Sequence, residues 1–393
     1  MHEINRGLIL NLIIKIFFLK IAIVKETREH ENRVAITPGV VKTLIKSGFN
    51  CTIESNAGFN AGFTDNAYES AGAIVVKEKH LILSNTDFLL KVNPPTNEEI
   101  AHLKEGASTI SFLYAHTVPD LLITLSSKKI AAFAMDAVPR ISRAQKMDAL
   151  SSQANLAGYK SVILAANALG KIFPLMMTAA GTITPARILI FGAGVAGLQA
   201  VATAKRLGAV VEVTDVRAET KEQVESLGGR FLQVQGEGVQ TQGGYAKEIS
   251  AEYLQKQKEM VSKHVADADI VITTALVMGK KAPILVTEEM VKSMRPGSVI
   301  CDMATESGGN CEISEYNKTI VKHGVTIIGE ANLPSLLAVN ASELYAQNCS
   351  TLLFHLADSK GLKSQPEDEI TKGCLITYQG NLVHEFTRSI LHK

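Results

Sequence analysis

The chain has 393 residues, is 46% apolar by composition, and sets 40 Lys plus Arg against 39 Asp plus Glu. That length and apolar content bury a sizeable core and predict two domains of ordinary size. Nearly cancelling charge, no dense basic run and no Trp leave nothing to build a nucleic-acid surface, so small polar ligands or protein partners are expected.

At the front, "GLILNLIIKIFFLKIAIV" is apolar over 18 residues but is interrupted by two lysines and an asparagine. Each charge near the centre of a membrane span costs about 2.5–3.5 kcal/mol, and no small-residue cleavage site follows. The stretch "LKIAIVKE" reads instead as a buried parallel strand entering a polar turn, with residues 1–18 as a hydrophobic extension before it. In "TPGVVKTLIKSG", Thr37 is expected as helix N-cap, Pro38 as first helical residue and Gly48 as the stop. Further strands are predicted at "CTIES", "DFLLKV", "STISFLY" and "AAFAMDAV", and helices at "DNAYESAG", "TNEEIAHL" and "DLLITLSSKK". Strand alternating with helix means a parallel sheet covered on both faces.

Residues 19–149 are therefore expected to form one α/β domain, completed by the C-terminal segment 335–393, which reads as helix and a last apolar stretch, "CLITYQGNLV". "SSQANLAGYKSVILAANAL" has helical spacing and suits a connecting helix. A second domain, 150–334, follows with strands at 187–191, "VVEVTD", "DIVITTAL", "SVICDMA" and "VTIIGEANLP". The expected fold class is α/β, with two doubly wound parallel-sheet domains separated by a cleft. The five cysteines, Cys51, Cys301, Cys311, Cys349 and Cys374, have neither C-x-x-C nor zinc-like spacing, so they read as reduced cytosolic thiols and no metal site is expected.

Three stretches carry chemistry. "RILIFGAGVAGLQA" places Gly192, Gly194 and Gly197 between a strand and a helix, with Asp215 at the end of the next strand. Gly192 permits the tight turn, Gly194 the approach of a pyrophosphate, and Gly197 close packing of helix on strand. The helix N-terminus favours the anion, and Asp215 can accept the ribose hydroxyls of NAD(H) while repelling a 2′-phosphate, although Arg217 lies nearby. "PRISRAQKMDALSSQ" concentrates Arg140, Arg143, Gln145, Asp148, Ser151 and Ser152 at the domain boundary. It reads either as a helix-capping loop or as a loop that orients a nicotinamide. "QGEGVQTQGGYAKEIS" is glycine-rich and polar, and suits either a lid bearing Tyr245 or an exposed loop without a role.

Together with "LKIAIVKETREHENRVAITP", "GGYAKE", "ITTALVMGKKAP" and "PGSVICDMATESGGNCE", these stretches closely resemble the NAD(H)-binding component of proton-translocating NAD(P) transhydrogenases, the first of the two polypeptides into which the alpha subunit is divided in the split form. That group lies within the alanine dehydrogenase/transhydrogenase superfamily, and the resemblance covers residues 19–393. It implies that Arg140, Gln145, Asp148 and Ser151 position the nicotinamide. It places Val195 in the glycine turn, Asp215, Val216 and Arg217 at the adenosine ribose, Gly244, Gln257 and Leu276 at other nucleotide contacts, and Tyr245 on a mobile loop.

The implied reaction passes hydride from NADH on this chain to NADP⁺ bound on a partner domain, coupled to proton movement, with no residue acting as general acid or base. Implied partners are the membrane and NADP(H)-binding subunits and a second copy of the chain, on the cytoplasmic face of the inner membrane. Relatives begin near "KIAI" with Met before it, where this chain has Leu19, and a mis-assigned start is one hypothesis for the 18 extra residues. The lid is a few residues shorter than in relatives.

Alanine dehydrogenase is the rival. It resembles the chain at "NRVAITP" and "LLKV", which hold Arg33 and Lys91, but carries a catalytic histidine where "SFLYAHT" has Tyr114, with His116 two residues on. That position, and the presence of "PRISRAQ", favour transhydrogenase. A module that senses NAD(H) without turnover would need a damaged cleft loop, and the loop is intact.

Overall fold

The computed structural model describes residues 19–233, 251–276, 280–363 and 366–391, with residues 251–258 given by backbone alone. The extension 1–18 and the stretch "QGEGVQTQGGYAKEIS" lie outside the described residues. The chain divides into two compact units, Met1–Ser152 with Ala338–Lys393, and Gln153–Leu337.

The first unit is built on an eight-stranded sheet. Its order is Asn381–Leu382, Leu375–Tyr378, Ala131–Ala134, Ser108–Ser111, Phe88–Leu90, Lys20–Ile23, Asn50–Glu54 and Ile74–Val76. The last six run parallel. Leu375–Tyr378 joins antiparallel to Ala131–Ala134 and forms a hairpin with Asn381–Leu382. Strands such as Phe88–Leu90 and Ala131–Ala134 are buried along their whole length, as unbroken apolar runs require when helices cover both faces.

Thr96 and Glu99 form a reciprocal capping box at the helix Asn97–His102. Thr37 does stand extended before Pro38, but its side chain makes no capping hydrogen bond. From the tail, the helix Ala338–Leu356 buries Ala341, Tyr345, Cys349, Leu352 and Leu356 at helical spacing. Its Tyr345 hydroxyl donates to the Lys91 carbonyl at 2.7 Å, which ties the tail to the middle of the first sheet.

In the second unit, seven strands take the order Arg230–Phe231, Val210–Thr214, Arg187–Phe191, Ile270–Thr273, Val299–Asp302, Val325–Ile328 and Thr319–Lys322. All neighbours are parallel except the last pair. Both sheets are thus mainly parallel α/β sheets, as expected. Arg187–Phe191 comes first in the chain and has Val210–Thr214 on one side and Ile270–Thr273 on the other. Connections leave it in opposite directions, which opens a crevice at the carboxyl ends of the strands, the place where open α/β sheets bind ligands.

All five cysteines are buried thiols. Burial pushes Cys51, Cys301 and Cys374 up to about 12 and Cys311 to about 11, and raises Cys349 further still. Among the described residues, no helix is long and apolar enough to cross a membrane.

Candidate nucleotide site

The site in the second unit begins where the strand Arg187–Phe191 ends. Gly192 follows at φ 99°, a left-handed conformation, and its N–H donates to Thr214 O at 2.9 Å. Space as well as φ demands glycine there, since a Cβ would lie 2.4 Å from Thr274 Oγ1. Gly197, in the first turn of the helix Val195–Arg206, is pressed on the glycine turn itself: a Cβ would lie 1.8 Å from Gly192 O. By contrast, a Cβ at Gly194 would come no nearer than 4.0 Å to anything beyond its chain neighbours, and that nearest atom is Arg217 Nη2. Two glycines are therefore required by the protein's own packing, and the third leaves an open approach to the helix N-terminus. The first turn of that helix carries no acidic side chain, and its last turn carries Lys205 and Arg206. A bound anion such as a pyrophosphate fits this arrangement of free N–H groups and dipole.

Asp215 follows the adjacent strand Val210–Thr214. Its Oδ2 accepts from Ala193 N at 2.7 Å and its Oδ1 from Arg217 N at 2.8 Å. The Arg217 guanidinium closes on both oxygens. Burial pushes the Asp215 carboxyl upward, but these hydrogen bonds and the guanidinium outweigh it and hold the group below its ordinary range. The carboxylate is thus ionised and fixed beside the glycine turn.

Three apolar side chains stand exposed at the carboxyl ends of three neighbouring strands. They are Val195 at 39%, Val216 at 93% and Leu276 at 62%. Exposed large apolar groups around a polar turn provide a surface for an aromatic base. Sequence reasoning missed Thr274, whose hydroxyl donates to Phe191 O at 3.0 Å and walls the turn opposite Asp215. Gly244 and Tyr245, and the side chain of Gln257, lie outside the described residues.

In the first unit, the structure brings Arg140, Gln145, Asp148 and Ser151 into one short segment. Ser142–Met147 is a 3₁₀ turn leading into the helix Ala149–Ala168. Asp148 caps that helix: Oδ1 accepts from Ser151 N at 2.9 Å and Oδ2 from Ser151 Oγ at 2.6 Å. Ser152 donates to Asn348 Oδ1 at 2.7 Å, and Asn348 donates back to Lys146 O at 2.8 Å, so the tail helix braces the loop. Arg143 reaches Asp368 at 3.4 Å. Arg140 and Gln145 are exposed, and the Gln145 carbonyl accepts from Asp148 N at 3.3 Å. The capping reading of this loop is therefore realised in Asp148 and Ser151.

The residues shared with the rival are occupied within the first unit. Arg33 is buried, and donates from Nε to Glu31 Oε1 at 2.8 Å and from Nη2 to Glu31 Oε2 at 2.7 Å. Lys91, also buried, donates to Glu99 Oε1 at 2.9 Å and lies 3.6 Å from Glu26. Tyr114 adopts φ 46°, with its N–H and that of Leu113 donating to Asp136 at 3.0 and 2.6 Å.

Family models describe the two halves of the chain. "Alanine dehydrogenase/PNT, N-terminal domain" matches residues 22–157, and "Alanine dehydrogenase/PNT, C-terminal domain" matches residues 161–385. The chain belongs to the alanine dehydrogenase/PNT family. Its similarity to the transhydrogenase branch is strong. It is 52% identical to the first polypeptide of the NAD(P) transhydrogenase subunit alpha of Rhodospirillum rubrum, over 93% of this chain and 98% of that one. The solved structure of a transhydrogenase from Sinorhizobium meliloti superposes with a TM-score of 0.85 at 43% identity, covering 93% of this chain and all of that one. An L-alanine dehydrogenase structure superposes at 0.82 with 27% identity, covering 95% and 99%. Within the alanine dehydrogenase/PNT family the fold is thus common to both branches, and the sequence lies nearer the transhydrogenases.

Proposed function

We propose that the chain is the NAD(H)-binding component of a proton-translocating transhydrogenase, passing hydride between NADH in its second unit and NADP⁺ held by a partner subunit, with proton movement across the membrane coupled to that exchange. The observation that carries this reading is the Gly192–Gly194–Gly197 turn with ionised Asp215 beside it, in a chain so similar to transhydrogenase alpha subunits. Bound there, NAD(H) supplies the hydride.

The chain's own residues bind and orient. N–H groups at the start of the helix Val195–Arg206 hold the pyrophosphate, and Asp215 takes the ribose hydroxyls. Val195, Val216 and Leu276 offer apolar surface to the adenosine, with Gly244, Tyr245 and Gln257 as further contacts. Arg140, Gln145, Asp148 and Ser151 position the nicotinamide. Exchange of hydride between two nicotinamides moves no substrate proton, so no residue need act as acid or base, and positioning is the catalytic device. Partners on this reading are the membrane and NADP(H)-binding subunits and a second copy of the chain, which places it peripherally on the cytoplasmic face of the inner membrane.

The test mixes the purified chain with NADH and an NADP⁺-loaded partner subunit, then repeats the assay with pyruvate and ammonia in place of the partner. NADH oxidation only in the first mixture is expected. Oxidation with pyruvate and ammonia alone would overturn the proposal in favour of alanine dehydrogenase.

A further inference from the structure

The crevice of the second unit has two walls. One is the glycine turn with Asp215. The other is the backbone leaving the strand Ile270–Thr273, where Thr274 touches the turn and Leu276 stands exposed. What fixes that second wall is remote in sequence. Asn310 is fully buried, and its side chain pairs with Ala275 as a peptide group would: Oδ1 accepts from Ala275 N at 3.0 Å and Nδ2 donates to Ala275 O at 2.9 Å. The second Nδ2 proton goes to Pro283 O at 2.8 Å, so one amide holds the chain both where it leaves the strand and where it returns.

Asn310 is itself anchored. Its N–H donates to Asp302 Oδ2 at 2.9 Å, and its carbonyl accepts from Leu285 N at 2.8 Å and Val286 N at 3.0 Å. Asp302, fully buried at the end of the strand Val299–Asp302, also accepts from Ala304 N, Cys311 N, Thr273 Oγ1 and Ser314 Oγ. A chain of satisfied buried bonds therefore runs from the neighbouring strand to Ala275, and such networks rigidify what they hold.

We propose that Asn310 is a positioning residue for the nucleotide, setting Ala275 and Leu276 as the fixed wall of the crevice against the glycine turn. The proposal rests on the reading that this crevice binds NAD(H). Asn310 reaches no ligand itself and acts through the Ala275 backbone. Only an amide can do this: aspartate keeps the acceptor for Ala275 N–H but sets a carboxylate against two carbonyls, and alanine leaves three backbone groups unpaired.

The test uses the full chain as wild type, Asn310→Asp, Asn310→Ala and Val299→Ala. The last variant opens a cavity at the other end of the strand that finishes in Asp302 and reports general loss of stability in the same unit. NADH titration well below the melting transition is paired with amide hydrogen exchange on the ligand-free proteins. Expected are a roughly tenfold weaker NADH affinity in both Asn310 variants, faster exchange at residues 274–276 and 283–286, and near wild-type affinity for Val299→Ala. If folded Asn310→Asp exchanges faster there yet binds NADH as wild type does, the positioning role is overturned. Equal loss of affinity in Val299→Ala would overturn it as well, by reducing the effect to stability. A wild-type chain that fails to bind NADH while Asn310→Ala still loosens residues 274–276 would sink the nucleotide reading, and the positioning role with it.

Discussion

Arg217 grips Asp215 at both carboxylate oxygens, Nε to Oδ1 at 3.0 Å and Nη2 to Oδ2 at 3.0 Å, while Ala193 N donates to the same carboxylate from the glycine turn. The Ala193 bond ties the carboxylate after one strand to the glycine turn after its neighbour, and the Arg217 pair holds a guanidinium beside the carboxylate proposed to read the ribose. In Asp215→Asn the acceptor for Ala193 N survives, but the charge that repels a 2′-phosphate is gone and Arg217 is released to attract one. NADH affinity is expected to fall by about tenfold, with the preference for NADH over NADPH narrowed. Titration with both nucleotides checks this, and an unchanged ratio would show that Asp215 does not discriminate.

Gly197 and Gly39 make an opposed pair. A methyl group at Gly197 would sit 1.8 Å from Gly192 O, so Gly197→Ala must move helix or turn. It is expected to cost about 1–3 kcal/mol of stability and to abolish NADH binding at concentrations that saturate wild type. At exposed Gly39, in the first turn of the helix Pro38–Lys46, a Cβ meets nothing within 4 Å. Gly39→Ala is expected to stabilise the chain by up to about 1 kcal/mol and to leave binding intact. Thermal melting of both variants, with and without NADH, separates the two effects.

The loop before the helix Ala149–Ala168 separates into two kinds of residue. Asp148 has a structural task as the cap, so Asp148→Ala is expected to cost about 1 kcal/mol in addition to any effect on hydride transfer. Arg140 and Gln145 are exposed, and their replacement by Ala is expected to change stability by less than about 0.5 kcal/mol. If they position the nicotinamide, turnover with the partner subunit falls while the melting curve stays in place. Wild-type turnover in both variants would remove them from the site.

Glu31 predicts a pH limit for the first unit. Its burial pushes the carboxyl upward, but the hydrogen bonds and charge of Arg33 together with Asn93 pull it down to about 2 from 4.5. A carboxyl depressed on folding stabilises the native state above its unfolded value, and that stability drains away as pH falls from 4.5 towards 2. The gap corresponds to on the order of 3 kcal/mol at neutral pH. Glu31→Gln is expected to lose about that much at pH 7, and its stability should vary less between pH 4.5 and 2 than that of wild type. Denaturant titration across that range is the measurement, and parallel wild-type and variant curves would contradict the assignment.

The parallel sheets were legible because strands buried on both faces are written as apolar runs, as at Phe88–Leu90 and Arg187–Phe191. Elements that bury little left no such mark. The hairpin Met176–Thr178 with Gly181–Ile183 is exposed throughout, and Thr319–Lys322 is an antiparallel edge with no fully buried position. The helix Ala251–Asp267 follows a glycine-rich stretch whose composition signals loop, and it was missed. At the site, the tight turn at Gly192, the close packing at Gly197 and the placement of Asp215 after the next strand were readable because they follow from local spacing. Thr274 pairs with a carbonyl 83 residues away, and Asn310 with a backbone 35 residues away; no short-range pattern encodes either partnership. For Asp148 and Ser151 the spacing admitted both a cap and a ligand contact, and the hydrogen bonds supply the cap.

The buried thiols give each unit a silent internal label. Cys51, Cys349 and Cys374 belong to the first and Cys301 and Cys311 to the second, and burial suppresses the reactive thiolate at all five. An alkylating reagent should therefore leave the native protein unmodified and mark only chains that have opened. Mass spectrometry during gentle denaturation would then count the order of events: two adducts if the second unit opens first, three if the first does.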